Sequence, residues 1–417
     1  MTTTIHPCYS PQAAVSHGRI HLPIARECNI QCKYCNRLYD CVNESRPGVT
    51  SVVLTPMQAI YYLEKVIPLI DCKISVVGIA GPGDPFAEPD NTIETLKLVK
   101  EKYPEMITCV ASNGLNLAEY ATILSGIGVE HVTVTINAID PEITAKIISW
   151  VRFRKKIYRG IDAGKMLLER QLLAVSSLKQ CGINVKINSI VIPGINENHI
   201  VEVSKEMRKL NVDVMNCLPL HPVNDTEFAN LSKPDHELMQ KVRWEVSDNV
   251  TVVHHCAMCR ADAAGRLGNQ NNEMTTKLLK EISKMPNNPI DNRPNIAVAS
   301  KEGILVNEHL GRADQFYIYN FEDTTFPLIE IRKAPACGTG TNRWLELAEI
   351  LRDCKILLVH QTGEPPREVL AESGIRVITT EGLIDQALTA LSSGYDPVPV
   401  VNVQSCNGGG CNNKPCG

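Results

Sequence analysis

The sequence lacks any run of about 18 or more apolar residues, so it contains no candidate for a membrane-spanning helix. It also lacks a strong charge of either sign, since 42 basic and 46 acidic side chains leave a net charge of −4. A chain so close to neutral has no strong attraction to nucleic acid or to a membrane surface, and we expect neither as a partner. Residues Met1–Ser10 lack the basic and apolar regions of a signal peptide, so we expect a cytoplasmic protein.

Cysteine, by contrast, is abundant, with 16 residues in a chain of 417. In a secreted protein this number would indicate disulfides, whereas in a reducing cytoplasm it favours metal or redox sites. The length is sufficient for two domains, each with its own core. The composition therefore favours a metalloprotein of two domains.

Short β-rich runs alternate with helical patterns from residue 20 to residue 260. The predicted strands are Ile20–Ala25, Ile74–Ala80, Ile107–Ala111, His131–Ile136, Val185–Ile192 and Val212–Leu218. The predicted helices are Met57–Ile70, Thr92–Lys102, Leu117–Gly126, Lys165–Gln180, Asn198–Leu210 and Asp235–Ser247. Alternation of this kind predicts βαβ crossovers and a parallel sheet. Six units are too few for a closed eight-stranded barrel, so we predict a partial (β/α)6 TIM-like barrel with its chemistry at the carboxyl ends of the strands.

A second α/β pattern follows a stretch rich in proline and asparagine, Met285–Pro294. Its predicted strands are Ile296–Ala299, Phe316–Tyr319, Leu328–Ile331, Lys355–His360 and Val377–Thr379, with helices at Trp344–Leu351 and Leu383–Leu391. We therefore expect a first domain over residues 1–264, a linker over 265–294 and a small α/β domain over 295–400. Residues 401–417 form a tail of glycine, asparagine and cysteine with too few apolar residues to fold alone.

Three cysteines, Cys28, Cys32 and Cys35, form a C-x3-C-x2-C run just after the first predicted strand. This spacing lets one short loop ligate three irons of a cubane iron–sulfur cluster and leave the fourth iron open. A structural zinc site that lacks one ligand is the alternative. The run resembles the loop of the radical S-adenosylmethionine (SAM) superfamily. That resemblance implies that SAM binds the open iron and is cleaved to a 5′-deoxyadenosyl radical.

Three further segments end predicted strands where a SAM molecule would lie. They are the glycine-rich segment with Gly81, Gly83 and Asp84, the pair Ser112 and Asn113, and the turn with Ile192, Pro193 and Gly194. The resemblance implies contacts with the ammonium, the carboxylate or ribose, and the adenine of SAM, respectively. The first segment departs from the Gly-Gly-Glu-Pro that superfamily members often carry. Each segment alone is also typical of an ordinary turn.

The remaining cysteines give the more specific pattern. His6 and Cys8 open the chain, Cys41 follows the cysteine run, Cys109 lies in the third predicted strand, and Cys256 and Cys259 close the first domain. A zinc site formed by Cys256 and Cys259 with neighbouring histidines is one alternative, and a buried apolar role for Cys109 is another. Cys72, Cys181 and Cys217 are interpreted as core residues. Together with Asn43–Gly48 and Gly78–Pro85, the pattern resembles the nitrogenase cofactor maturases of the radical SAM superfamily.

This resemblance implies two further 4Fe–4S clusters that serve as substrates. The first would be held by His6, Cys41 and Cys109, and the second by Cys8, Cys256 and Cys259. A SAM-derived methyl group would become a central carbide as the two clusters couple and one more sulfur is added, giving an 8Fe–9S–C precursor of the nitrogenase cofactor. The implied partners are cluster donors, downstream assembly scaffold proteins, and a reductant such as ferredoxin or flavodoxin.

Other features fit this hypothesis less specifically. Glu44 could accept protons from the methyl carbon, although an ion pair with Arg46 is an equal alternative. The basic stretch from Arg152 to Arg159 is typical of a solvated surface or of a docking site. The segments Glu308–Gly311 and Phe316–Tyr319 of the second domain resemble those of the NifX-type cofactor carriers, which implies a small ribonuclease H-like α/β fold. His309 is its candidate product ligand, and an ordinary surface histidine is the alternative. The tail cysteines Cys406, Cys411 and Cys416 would either bind iron or form an unstructured thiol segment.

Two alternative functions remain open from the sequence alone. One is a radical SAM enzyme that modifies a peptide or small molecule and uses Cys256 and Cys259 for an auxiliary cluster. The other is a metallocluster carrier without enzymatic activity. The first leaves His6, Cys8 and Cys41 without a role, and the second leaves the SAM-type segments without one.

Overall fold

The computed structural model describes residues 6–39, 41, 52–256, 259–270, 273–285, 293–336, 340–393 and 396–397. The chain divides into two compact units, Met1–Lys284 and Met285–Gly417. Within the described ranges no helix is long and apolar enough to cross a membrane.

The first unit alternates strands and helices along most of its length. Its elements are α1 (Pro11–Ser16), β1 (His17–His21), β2 (Ile30–Cys32), α2 (Pro56–Val66), β3 (Lys73–Ile79), α3 (Pro89–Lys102), β4 (Ile107–Ser112), α4 (Ala121–Ile127), β5 (His131–Thr135), α5 (Pro141–Ile147), β6 (Ile148–Phe153), β7 (Lys156–Tyr158), α6 (Gly160–Gln180), β8 (Asn184–Val191), α7 (Ile200–Lys209), β9 (Val214–Pro219), α8 (His236–Ser247), β10 (Ala264–Arg266), β11 (Asn269–Gln270) and α9 (Glu273–Ile282).

The central sheet has the strand order β11-β10-β1-β3-β4-β5-β8-β9. The six strands from β1 to β9 in this order are parallel, and each corresponds to one of the six predicted strands. The prediction of a partial six-stranded α/β barrel is therefore confirmed. The antiparallel strands β10 and β11 extend its first edge.

Local sequence signals fix several helix ends. Helix α2 begins with a capping box, in which the Thr55 hydroxyl accepts from the Gln58 backbone and the Gln58 side chain accepts from the Thr55 backbone. Asp140 caps α5 by accepting from two backbone amides of its first turn. Gly128 ends α4 with a φ of 91°, a conformation that favours glycine.

A small second sheet, absent from the sequence-based expectation, carries part of the cysteine run. Strand β2 pairs antiparallel with β6, and β6 continues through a tight turn into β7. The register places Cys32 opposite Ile148. Arg154 and Lys155 have positive φ angles of 49° and 65° at the turn, the signature of a two-residue hairpin whose twist matches its strands.

Residues 265–284, expected as the first part of a linker, form β10, β11 and α9 on the first unit. Helix α9 packs against α2 and buries Thr275, Leu279 and Ile282. These residues lie four and three positions apart, so they share one helical face. Burial of this face of α9 attaches the segment to the first unit.

The second unit is a sheet of order β15-β14-β12-β16-β17 covered by helices on both faces. Its elements are β12 (Asn295–Ala299), β13 (Leu305–Val306), β14 (Gln315–Asn320), β15 (Leu328–Lys333), α10 (Thr341–Ile350), β16 (Cys354–Val359), α11 (Glu364–Glu372), β17 (Arg376–Thr379), β18 (Gly382–Leu383) and α12 (Ile384–Ser392). All the predicted elements are present, and α11, β13 and β18 are additional. The small α/β fold is therefore confirmed, and the tail 401–417 lies outside the described residues.

We predict that Leu279→Ala lowers the free energy of unfolding of the first unit by about 2–5 kcal/mol, because it leaves a cavity under α9. Lys277→Ala on the exposed face of the same helix should change it by less than about 0.5 kcal/mol. Urea unfolding followed by circular dichroism measures both. Equal stabilities of the two variants would mean that α9 is not part of the folded unit.

Candidate functional site

The three cysteines of the C-x3-C-x2-C run converge on one cavity of about 490 Å³, here named the loop cavity. Its lining includes Cys28, Cys32, Cys35, Cys41, Ala80, Gly83, Asp84, Ala111, Ser112 and Asn113. The Gln31 side chain donates to the carbonyls of Cys32 (3.0 Å) and Cys35 (2.7 Å), which fixes the turn between these two cysteines. The predicted ligands of the SAM-binding cluster therefore share one space.

The glycine-rich segment braces the cysteine run through its backbone. The Gly83 amide donates to the Ala25 carbonyl and the Asp84 amide donates to the Glu27 carbonyl, both at 2.7 Å. A Cβ at Gly83 would overlap the Glu27 carbonyl oxygen, so only glycine permits this approach. Gly83 lines the loop cavity, whereas the lining does not include Gly81.

Asp84 connects this segment to the end of β4. Its buried carboxylate accepts from the Ser112 hydroxyl (3.0 Å) and from the Asn113 amide (2.6 Å). The Asn113 side chain in turn donates to the Asn29 side chain at 2.7 Å and to the Cys28 sulfur at 3.8 Å. Burial raises the pKa of the Asp84 carboxyl, and these hydrogen bonds oppose that rise. The network ties the cysteine run to two strands of the barrel.

The third predicted SAM-contacting segment lies elsewhere. Ile192 is fully buried and packs in the core that includes Ile30 and Tyr34. Its amide donates to the Asn196 side chain, which closes the turn that contains Pro193 and Gly194. The lining of the loop cavity includes none of Ile192, Pro193 or Gly194.

A second cavity of about 650 Å³, here named the sheet cavity, gathers most of the other predicted ligands. Its lining includes His6, Cys8, His21, Ala80, Cys109, Ala111, His131, Lys186, Cys256 and Cys259. Cys41 lines the loop cavity instead. The two cavities share Ala80 and Ala111 in their linings, so they are neighbours inside the barrel.

The histidines of the sheet cavity are held in the neutral form. Burial is the main cause that lowers the pKa of His6 well below its ordinary value, that of His21 to about 3 and that of His131 to about 4. The charge of Arg19 adds to the effect on His21. A neutral imidazole retains a free nitrogen lone pair, which is the form that binds metals.

A buried arginine lies beside one of the cysteines. Arg19 is fully buried in β1 and donates to the Gly265 carbonyl at 2.6 Å and to the Cys259 sulfur. Burial raises the pKa of the Cys259 thiol to about 12, and the arginine charge opposes this rise. Bound iron deprotonates a thiol, and the guanidinium would then face a thiolate.

The donor set of the two cavities consists of thiols and imidazoles, the ligand types of iron–sulfur clusters and also of zinc. Burial raises the pKa of Cys28 to about 12 and also raises that of Cys35. Across the described ranges no three His, Cys, Asp or Glu side chains are placed to share one ion.

Sequence reasoning missed His21, His131 and Arg19. Strands of a parallel sheet are buried on both faces and are therefore mostly apolar. A polar residue in or next to such a strand is the signal that would have identified these three residues. Glu44, proposed as a base, and the tail cysteines Cys406, Cys411 and Cys416 lie outside the described residues. Of the three cysteines expected in the core, Cys217 is fully buried, whereas Cys72 and Cys181 are only half-buried.

In the second unit, His309 precedes a short 3₁₀ turn, and its Nδ1 accepts from the Gly311 amide at 3.0 Å. Burial lowers the pKa of His309, so its ring is neutral near pH 7. The Nδ1 atom of His309 is hydrogen-bonded within this turn, and its Nε2 atom lies on the other side of the ring. The side chain is half-buried.

Comparison with known proteins gives matches over nearly the whole chain. The family model described as "Radical SAM superfamily" matches residues 22–207, and that described as "Dinitrogenase iron-molybdenum cofactor" matches residues 293–394. The "FeMo cofactor biosynthesis protein NifB" of Chlorobaculum tepidum is 48% identical over 94% of this chain and 92% of its own length. The protein of the same description from Klebsiella pneumoniae is 37% identical over 89% of this chain and 86% of its own length.

We predict that Gly83→Ala displaces the cysteine run, because the new methyl group overlaps the Glu27 carbonyl. The variant should lose about 1–3 kcal/mol of stability and most of the iron bound by Cys28, Cys32 and Cys35. Gly126→Ala is the matched control, since nothing lies within 4 Å of the added carbon on α4. Iron analysis after anaerobic reconstitution distinguishes them, and full iron binding by Gly83→Ala would contradict the bracing role.

Proposed function

The chain belongs to the NifB family of FeMo cofactor biosynthesis proteins and is a radical SAM enzyme, and we propose that it couples two 4Fe–4S clusters around a carbon atom from SAM. The product would be the 8Fe–9S–C precursor of the nitrogenase cofactor. The observation that carries this proposal is the sheet cavity, whose lining includes five of the six predicted substrate-cluster ligands. A peptide-modifying enzyme with one auxiliary cluster at Cys256 and Cys259 would leave His6 and Cys8 in this cavity without a role.

The cofactors implied by the superfamily are SAM and one 4Fe–4S cluster, and the loop cavity fits them. Cys28, Cys32 and Cys35 would hold this cluster, which supplies the electron for SAM cleavage. The cysteine loop is fixed by its backbone bonds to Gly83 and Asp84. Ser112 and Asn113, both on the cavity wall, are the proposed polar contacts of SAM in that space.

The two substrate clusters would occupy the space that the sheet cavity provides. Cys8, Cys256 and Cys259 would bind one of them, and His6 and Cys109 would bind the other together with Cys41. Cys41 lines the neighbouring cavity, so the cluster that it shares with His6 would lie where the two cavities meet. Three protein ligands leave one iron of each cluster open for coupling.

Carbide formation requires a site for protons. The methyl carbon loses three hydrogens: the deoxyadenosyl radical takes one as a hydrogen atom, and the other two leave as protons whose C–H electron pairs stay on the carbon. The iron atoms, kept reduced by the electron donor, would supply the remaining electrons as the carbon–sulfur bond breaks and bonds from carbon to iron form. Glu44, three residues after Cys41, is the proposed proton acceptor. Only the place of Glu44 in the sequence, close to Cys41, supports this role.

The second unit would receive or hold the product. Its match to the "Dinitrogenase iron-molybdenum cofactor" family supports a role in cofactor handling. His309 is the proposed ligand. Because its Nδ1 accepts from the Gly311 amide, the neutral ring carries its proton on Nε2, and it would have to change tautomer and release the amide before Nε2 binds iron. The downstream partners would be nitrogenase assembly proteins in the cytoplasm.

We predict that anaerobically reconstituted protein binds about twelve irons in three clusters. Radiolabel from the SAM methyl group should enter an iron–sulfur product. Cys41→Ala should still release 5′-deoxyadenosine but form less than about one-tenth of the labelled product. Cys181→Ala at the end of α6 is the matched control and should behave as wild type, since neither cavity lining includes Cys181.

Each contrary result has a distinct meaning. A plateau at about four irons in folded protein would refute the three-cluster proposal. Label that enters a peptide instead would favour a peptide-modifying enzyme. Loss of 5′-deoxyadenosine in Cys41→Ala would assign Cys41 to the SAM-binding cluster.

The hairpin of β6 and β7 is the proposed docking site of the reductant. It carries exposed Arg152, Arg154, Lys155 and Lys156, and its strand β6 hydrogen-bonds to β2, which contains Cys32. An acidic redox protein bound here would contact the element that holds the cluster. Electrostatic complementarity of this kind accelerates association more than it changes affinity.

We predict that Lys155→Glu combined with Lys156→Glu slows cluster reduction by an acidic ferredoxin about tenfold at low salt. Reduction by dithionite should remain near the wild-type rate. The matched control reverses two exposed lysines elsewhere on the unit, Lys73 and Lys97. Stopped-flow absorbance measures the rates, and equal slowing by both pairs would refute a local docking site.

A further inference from the structure

The outer edge of the main sheet in the second unit is a strand with exposed apolar side chains. Strand β15 stands last in the order β15-β14-β12-β16-β17, and among the described residues only β14 pairs with it. Its apolar residues Leu328, Ile329 and Ile331 are 47%, 50% and 50% exposed. Free backbone groups at a sheet edge pair readily with another strand, so proteins usually protect such an edge. An edge that is both open and apolar is therefore a candidate interaction surface.

The backbone of Ile331 faces this open edge. The Ala334 amide donates to the Asp314 carbonyl, so these two residues bond to each other across β15 and β14. In an antiparallel pair every second residue bonds to the neighbouring strand, and the residues between them direct their N–H and C=O groups the other way. Arg332 therefore bonds to β14, whereas Lys333 and Ile331 present their backbone groups outward.

We propose that β15 pairs antiparallel with β15 of a second copy of this chain, with the two-fold axis at Ile331. The five-stranded main sheets of the two copies then form one sheet of ten strands. Both copies use the same surface, as is usual in symmetric dimers, and the added strand supplies backbone hydrogen bonds. This inference goes beyond the function proposed above and does not depend on it.

The charges along β15 favour this register. An axis at Ile331 places the two Ile331 side chains side by side and puts Glu330 of each copy opposite Arg332 of the other. An axis at Glu330 would oppose two carboxylates, and an axis at Arg332 would oppose two guanidinium groups. Opposite charges in facing positions stabilise a strand pair, and like charges destabilise it. The strand is therefore complementary to itself, which favours a second copy as its partner.

The charged side chains are already in position for this pairing. Within one copy, Arg332 Nε donates to the Glu330 carboxylate at 2.9 Å, and the guanidinium also pairs with Asp353. The Glu330 side chain is 50% exposed, so its carboxylate can also accept from Arg332 of the second copy. Exposed ion pairs contribute little affinity, so the charges would set the register while Ile331 and the backbone bonds hold the copies together.

The test measures the mass of the full-length protein in solution by native mass spectrometry and analytical ultracentrifugation. Wild type should be dimeric at about 10 μM. Ile331→Lys and Ile331→Glu should each raise the dissociation constant at least about tenfold, because each opposes two like charges at the two-fold axis. A mixture of these two variants should form a heterodimer, since lysine then faces glutamate. Ile304→Lys, at a residue of the same unit that is 60% exposed, is the matched control and should dimerise as wild type does.

Three results would overturn the proposal. Wild type that remains monomeric at about 100 μM would leave the edge to a different protein. A dimer that Ile331→Lys does not weaken would have its interface elsewhere. Two weakened variants that form no heterodimer when mixed would refute the axis at Ile331.

A second variant keeps the test valid if the substitutions at Ile331 prevent folding. Glu330→Lys changes a half-exposed carboxylate and opposes Arg332 of the second copy with a like charge. It should raise the dissociation constant of the dimer about tenfold. A dissociation constant equal to that of wild type would refute the proposed strand pairing.

Discussion

The close approach of Gly83 to the carbonyl of Glu27 is the constraint on which the rest of the site depends. Two backbone hydrogen bonds and the Asp84 carboxylate hold the cysteine run against β3 and β4. The run has few regular contacts of its own, since β2 contains only three residues. The Gln31 side chain fixes the turn between Cys32 and Cys35, and the brace then holds the whole run over the loop cavity.

The barrel has one cavity at the carboxyl ends of its strands and a second cavity lined by residues within the strands. The loop cavity lies at the carboxyl ends of β3 and β4, the usual place for chemistry in a parallel barrel. The sheet cavity lies deeper, because Cys109 and His131 are within their strands rather than after them. The segment with His6 and Cys8 and the segment with Cys256 and Cys259 line this cavity. The interior of the barrel therefore contains polar and thiol side chains in place of a fully apolar packing.

The sequence predicted the six parallel strands of the first unit and the five strands of the main sheet of the second unit, because each is a short apolar run bounded by helical patterns or turns. It did not predict β10 and β11. It did not predict the hairpin of β6 and β7, whose polar exposed strand lacks that signal, or the placement of α9, whose three buried positions follow a stretch without clear periodicity. Spacing alone identified Cys28, Cys32 and Cys35. Five predicted ligands lie around one cavity: His6, Cys8, Cys109, Cys256 and Cys259. Their grouping depends on the strand register and on how distant segments of the chain come together, and no local sequence pattern encodes either. His131 was missed for the same reason, since only its pairing with Cys109 gives it a chemical setting.

Ala80 and Ala111 line both cavities, and their methyl groups are the smallest side chains that still define a wall. Under the function proposed above, a reactive fragment formed in the loop cavity would reach its target in the sheet cavity past these two methyl groups. A path as short as this would limit attack by the radical on neighbouring side chains, so the two alanines would protect the protein as well as separate cofactor from cargo.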